Sequence, residues 1–269
     1  VDNYLITASE ITGPWSEPVY LHSAGFDASI LHDTDGKKWI VSLEWETREG
    51  YEKPGAICLV EYSPQTRSVV GYPQRIWRGG TDRGCIEAPH LTRRGDYYYL
   101  MVAEGGTGYG HAVTMARATQ VAGPYEGDPQ NPIVTSWPEN FNARHDADHL
   151  KPHYFNPQTY LQKAGHGSYV ETPTGEVWLT HLCSRPFRQA LRCPLGRETA
   201  IQKMVWSDDG WLRMADGGNL AQHQVEESNL PSQPFPAKPD RDDFDGQTLD
   251  NAFYAPRIRF QRFTSLERK

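Results

Sequence analysis

The stretch FDASILHDTDGKKWIVS, Phe26 to Ser42, runs from an ionisable residue through a short apolar strand to a polar turn closed by Gly36, then into a second strand rich in aromatic and β-branched residues. The same design returns in IEAPHLTRRGDYYYLMVA, Ile86 to Ala103, and in GHGSYVETPTGEVWLTHL, Gly165 to Leu182. Counted from anchor to turn glycine, Asp27 to Gly36, Glu87 to Gly95 and His166 to Gly175 give nine, eight and nine positions, which makes the three anchors equivalent in the repeat. Recurring sets of short strands with tight turns predict blades of a radial β-propeller. If the anchored strand is the innermost of each blade, Asp27, Glu87 and His166 face one axis. Two carboxylates and an imidazole then share a pocket.

A second echo supports the repeat. ITGPWSEP (Ile11 to Pro18) and VAGPYEGDP (Val121 to Pro129) share a Gly-Pro-aromatic pattern. It suits a turn, because Pro presets φ and Gly tolerates positive φ, and we expect these turns to close successive blades. AICLVEY, YYYLMVA and EVWLTHL read as strands, and no long stretch keeps the i, i+3, i+4, i+7 spacing of a helix. The expected fold class is all-β.

Composition narrows the function classes. Twenty-four Gly and twenty Pro in 269 residues fit a turn-dense architecture large enough for a substantial core. A net charge of −7 argues against a nucleic-acid partner, which needs a basic stripe to neutralise phosphates. No run of about eighteen apolar residues is present to span a membrane. Cys58, Cys85, Cys183 and Cys193 lack CxxC pairing and are too few for a disulfide scaffold. We expect buried free thiols. The chain opens at Val1 and not at methionine, so we expect the natural N-terminus upstream and leave the compartment open. A homo-oligomer is also left open.

Two segments depart from the blade pattern. Asn140 to Gln158, NFNARHDADHLKPHYFNPQ, holds three of the ten histidines and no apolar period. It reads as a metal-binding loop or, more simply, as a solvated insertion between blades, since His-x-x-x-His binds metal readily on a helix or with a further converging ligand. After Gly218 the composition turns to Pro, Ser and Asp, the mark of a linker, with one short strand-like stretch beyond it. The expected organisation is a propeller over 1–230, then a linker and further segment over 231–269.

GFDASILHDTDGKKWIVS, GCIEAPHLTRRGDYYYLMVAEGGTGYGHAVTMAR, LQKAGHGSYVETPTGEVWLTHL and CPLGRETAIQKMVW, taken in order, resemble the motifs of the glycoside hydrolase family 43 β-xylosidases. The resemblance implies a five-bladed β-propeller, incomplete in this chain, and RDDFDGQTLDNAFYAPRIRF resembles the start of the C-terminal β-sandwich that commonly follows it. It also implies an exo-acting, inverting β-1,4-xylosidase, with arabinofuranosidase activity as an overlapping specificity and xylo-oligosaccharides as substrate.

The chemistry can be argued from the residues themselves. Inversion needs one protonated carboxyl at the leaving oxygen and one carboxylate to activate water from the opposite face, about 6.5–9.5 Å apart. Glu87 is the better acid, because Ile86, Ala88 and Pro89 around it are apolar and desolvation disfavours its charged form. Asp27, between Phe26 and Ala28, can raise the pKa of that acid and orient it. The resemblance assigns the same roles, Glu87 as general acid and Asp27 as pKa modulator. The family's general base sits in a Pro-Asp-type motif with no counterpart here, so the isolated chain is expected to hydrolyse xylosides poorly. A non-catalytic sugar-binding propeller is the alternative.

By resemblance, His166 and Arg197 reach the bound sugar or the modulating carboxylate, and a guanidinium fork suits both tasks. Trp45, Thr107 and Tyr109 align with loops that approach the substrate, with core packing as the competing role for Trp45 and Tyr109. One imidazole without a carboxylate cage is a poor calcium site. No metal and no cofactor are expected.

Overall fold

Glycine-closed turns and strand-forming runs alternate along the chain, and the structure answers with four antiparallel sheets. It is a computed structural model, which describes residues 1–45, 55–139, 154–250, 253, 255 and 262–266. Strands β1 (Asn3–Leu5) and β2 (Val19–His22) form a two-stranded sheet. β3 (Phe26–His32), β4 (Lys38–Trp45), β5 (Gly55–Ser63) and β6 (Ser68–Trp77) form a four-stranded meander. β7 (Glu87–Arg94), β8 (Tyr97–Glu104), β9 (Ala112–Ala118) and β10 (Glu126–Gly127) follow in the same order, and β11 (Val134–Thr135) also pairs with β9. β12 (Gln162–Glu171), β13 (Val177–Ser184), β14 (Glu198–Trp206) and β15 (Leu212–Met214) make the last sheet. No α-helix occurs among the described residues.

These sheets are propeller blades. Each of the three repeat segments forms the first hairpin of its sheet, and the first strands lie side by side, β3 against β7 and β7 against β12. Consecutive sheets bury apolar faces against each other in three clusters. Leu21, Ile40, Val60 and Tyr62 fill the first, Val41, Leu43, Ile57 and Leu100 are central to the second, and Met101, Met115, Leu179 and Leu212 to the third. Fully burying one such aliphatic side chain contributes roughly 1.5–3 kcal/mol.

Polar contacts set how successive blades meet. Asp33, in the β3–β4 turn, accepts from Tyr98 Oη at 2.7 Å and Arg93 at 2.9 Å, both from the next blade. Ser29 Oγ donates to Pro89 O at 2.6 Å. On the other side of that blade, Tyr99 Oη donates to Gly210 O at 2.6 Å, its ring lies 4.9 Å from Trp206, and Arg117 lies over Trp211 at 4.2 Å.

The Gly-Pro-aromatic turns are alike in three dimensions. Gly13 and Gly123 take φ of 87° and 90°, and their amides bond Glu10 O and Gln120 O at 2.9 Å. They do not close one blade onto the next, as expected, but lie within a blade, joining β1 to β2 and β9 to β10. The equivalence identifies β1 and β2 as the outer pair of a blade.

The linker begins later than composition indicates. Ala221 N bonds Thr135 O at 3.0 Å, and Gln202 grips the Gln222 backbone through both its amide oxygen and nitrogen. Residues after Gly218 are therefore strapped across two blades by main-chain bonds that composition does not reveal. The chain divides into two compact units, Val1–Asn229 and Leu230–Lys269. In the second, Lys238 pairs with Asp250 at 2.8 Å and the Phe244 and Phe253 rings are 5.4 Å apart. Its strand-like stretch falls largely outside the described residues, as do the three histidines of the Asn140–Gln158 segment.

Candidate active site

All three anchors stand at β-bulges. Phe26 pairs with Leu43 and Ser29 with Val41, Glu87 with Ala103 and His90 with Met101, Gly165 with Leu182 and Gly167 with His181, so each first strand carries an extra residue at its anchor, and β12 carries another between Gln162 and Gly165. A bulge bends its strand and re-aims a side chain, a recurring device beside active sites. Within the bulges Asp27, Ala88 and His166 have φ of 54°, 49° and 53°. By this measure Asp27 and His166 are equivalent, whereas Glu87 precedes the matching position by one residue. The spacing count concealed the offset, because the turn after β7 is tighter. Arg94 pairs with Tyr97 there, while the other two hairpins turn through five residues, Asp33 to Lys37 and Thr172 to Glu176.

The Asp27 carboxylate accepts from Ala88 N at 3.2 Å, which ties it to the peptide following Glu87. Burial pushes the Glu87 carboxyl above its ordinary pKa, the negative charge of Asp27 pushes it the same way, and the Arg197 guanidinium opposes both. Asp27 itself is exposed and Glu87 half-buried. One carboxyl is thus biased to hold its proton beside a second that faces solvent, the separation of environments that divides acid from auxiliary carboxylate in glycosidases.

His166 stands half-buried between two glycines. A methyl group on Gly165 would lie 2.4 Å from the His111 ring, and one on Gly167 would lie 2.9 Å from Val113. The GHG triplet therefore reflects close approach of β12 to the side chains of β9, with His166 the one side chain free to leave the strand. Arg197 is exposed at the entrance to β14. Its charge acts on both Glu87 and the buried His111, which places it at the same end of the blades as the anchors.

The aromatic candidates separate. Trp45, 44% exposed at the end of β4, has its ring 6.1 Å from Phe26, next to Asp27, so the pair forms an apolar wall. Thr107 is exposed in the β8–β9 connection. Tyr109 is 3% exposed and packs edge-on against Phe155 with Lys163 Nζ 4.7 Å from its ring centre. Its burial and ring contacts are those of loop packing.

The sequence reading missed His90. Burial lowers its pKa, the His166 charge lowers it further, and Asp27 raises it, so it lies within electrostatic reach of two anchors. Its signal was available as a histidine three residues after Glu87, but simple alternation without the bulge puts those two side chains on opposite faces. The thiols divide evenly, Cys58 and Cys183 being buried and Cys85 and Cys193 partly exposed, with none of the four in a disulfide.

Residues 1–212 match the family described as Glycosyl hydrolases family 43. The chain belongs to that family. It is 45% identical over 267 residues to the Beta-xylosidase of Bacillus subtilis (strain 168), covering 96% of this chain and 46% of that one. To the Xylosidase/arabinosidase 43B of Humicola insolens it is 46% identical over 215 residues, covering 80% and 37%. The crystal structure of the xylan beta-1,4-xylosidase from Bacillus halodurans C-125 superposes with a TM-score of 0.83 at 48% identity, over 93% of this chain and 44% of that one. The family 43 chain described here spans less than half the length of each of these relatives. Its fold is that of the family's five-bladed propellers, of which three sheets and an outer strand pair are described above.

The residues brought together are a carboxyl biased to hold its proton in Glu87, a second carboxylate beside it in Asp27, hydrogen-bonding groups in His166 and Arg197, and an exposed aromatic face in Trp45.

Proposed function

We propose that the chain provides the acid side of a glycoside-hydrolase site that removes xylose from the non-reducing end of β-1,4-xylo-oligosaccharides with inversion. Arabinofuranosides are a second substrate class, because the two pentoses present similar hydroxyl patterns. The observation that carries the reading is the Glu87 carboxyl, raised in pKa by burial and by the Asp27 carboxylate, which is itself held at the following peptide. Proton donation by Glu87 lets the leaving sugar depart as a neutral alcohol, and a positioned acid of this kind contributes roughly 10²–10⁴-fold. His166 and Arg197 orient the sugar by its hydroxyls, and Trp45 with Phe26 supplies an apolar face. The names borne by the relatives support xylosides and arabinosides as substrates.

Inversion also requires a carboxylate to activate water, and among the described residues none of the groups gathered at the anchors fills that role. The described residues therefore supply two of three carboxylates, and segment 231–269 is read as a linker and the first portion of a C-terminal β-sandwich. The test uses the natural full-length protein and this chain alone, each incubated with an aryl β-xyloside, whose leaving group has no anomeric centre, and followed by proton NMR. The full-length protein is expected to release α-xylose first, and this chain alone to release none at a useful rate. Initial β-xylose would exclude inversion. Equal activity of the two forms would mean that a carboxylate of this chain activates the water.

A further inference from the structure

His111, immediately before β9, is completely buried and plays none of the roles assigned above. Its Nδ1 lies 3.1 Å from Lys163 O. A carbonyl oxygen only accepts, so Nδ1 carries the proton and Nε2 keeps its lone pair. Burial supports this neutral state by lowering the imidazole pKa to about 3. The same ring fills the space over Gly165, where a methyl group would lie 2.4 Å from Cγ and 2.5 Å from Nδ1. One side chain therefore engages the strand at two of the three residues that precede His166. Lys163 and His166 have φ of 58° and 53°, a region unfavourable for residues with a side chain that persists where surrounding structure imposes it. Val113, two residues along β9, sits against Gly167 in the same manner. β9 thus offers a template on both sides of His166.

We propose that His111 is the positioning residue for His166, fixing through Lys163 and Gly165 where that imidazole stands in the sugar pocket. The inference rests on His166 as a sugar-binding residue, and the test separates the two claims. The kcat/KM for an aryl β-xyloside is measured in the natural full-length protein for His111→Phe, which keeps a ring and loses the donor, and His111→Asn, which keeps a donor and loses the ring. Each is made with and without His166→Ala, and the imidazole resonances of every folded variant are recorded by NMR. His111→Phe is expected to cost roughly 10²-fold, the scale of a 1 Å misplacement, mainly in KM, with His111→Asn less damaging. In the His166→Ala background the same changes should cost little, since residues acting through one another are not additive. The His166 resonances should move while those of exposed His32 and His223 stay. Equal losses in both backgrounds, or unmoved His166 resonances in a folded variant, would overturn the proposal. If His166→Ala alone retains full activity, the sugar-binding role fails, and the resonances still decide whether His111 sets the ring.

Discussion

At the residue scale, the division of labour proposed for Glu87 and Asp27 rests on one peptide. Asp27 accepts from Ala88 N at 3.2 Å, so its charge stays beside the residue whose proton it helps to retain. Replacing Asp27 by Asn removes that charge, and the Glu87 pKa falls because a like charge no longer opposes ionisation. The acid then loses its proton at lower pH, and the alkaline limb of the pH–kcat profile shifts downward. A pH–rate series on the Asp27→Asn full-length protein checks this, and an unchanged limb would remove the tuning role. Both carboxylates were legible because polar residues interrupt apolar strand starts in a repeat. His90 and His111 were not, since the first depends on a bulge and the second on contacts made across 52 residues to Lys163.

At the scale of the element, the three hairpins show what a repeat transmits and what it hides. Strand, turn and strand were readable from alternation and from Gly36, Gly95 and Gly175. The one-residue offset of Glu87 was not, because a bulge leaves no mark in composition. The Asp33 turn, read only as polar spacing, is a connector between blades. Burial pushes the Asp33 carboxyl upward, but hydrogen bonds from Tyr98, Arg93 and Thr34, with the Arg93 charge, outweigh it and hold the pKa below its ordinary value. A carboxyl depressed in the folded state stabilises above its unfolded pKa, about 3.9, and that contribution is lost as pH falls through the folded value. Asp33→Asn should therefore cost about 1–3 kcal/mol at neutral pH, the range for disrupting buried bonds to a charged group. The deficit should be similar at pH 7 and pH 5 and should narrow below about pH 4. Urea unfolding of both proteins across that range measures it. A deficit independent of pH would show that the carboxylate charge is not what joins the blades.

For the whole molecule, the order of blades was legible because each repeat segment opens a sheet, and the apolar strands then had to bury against neighbouring sheets. What was not legible is that the residues just after Gly218, where the composition changes, are still bonded to the blades. Thr135, Gln202 and Thr159 hold Asn219, Ala221 and Gln222 by bonds to the backbone, which no side-chain pattern in the tail announces. The propeller's consequence for function is to bring strand starts distant in sequence to one end of the molecule, where Glu87 feels the charges of Asp27 and Arg197. That convergence supports Glu87 as the proposed proton donor, and the role has a direct measurement. In the natural full-length protein, Glu87→Gln should lower kcat/KM on xylobiose by roughly 10²–10⁴-fold. On an aryl xyloside whose leaving group departs without protonation, the loss should be far smaller. Equal losses on the two substrates would contradict the assignment of Glu87 as general acid.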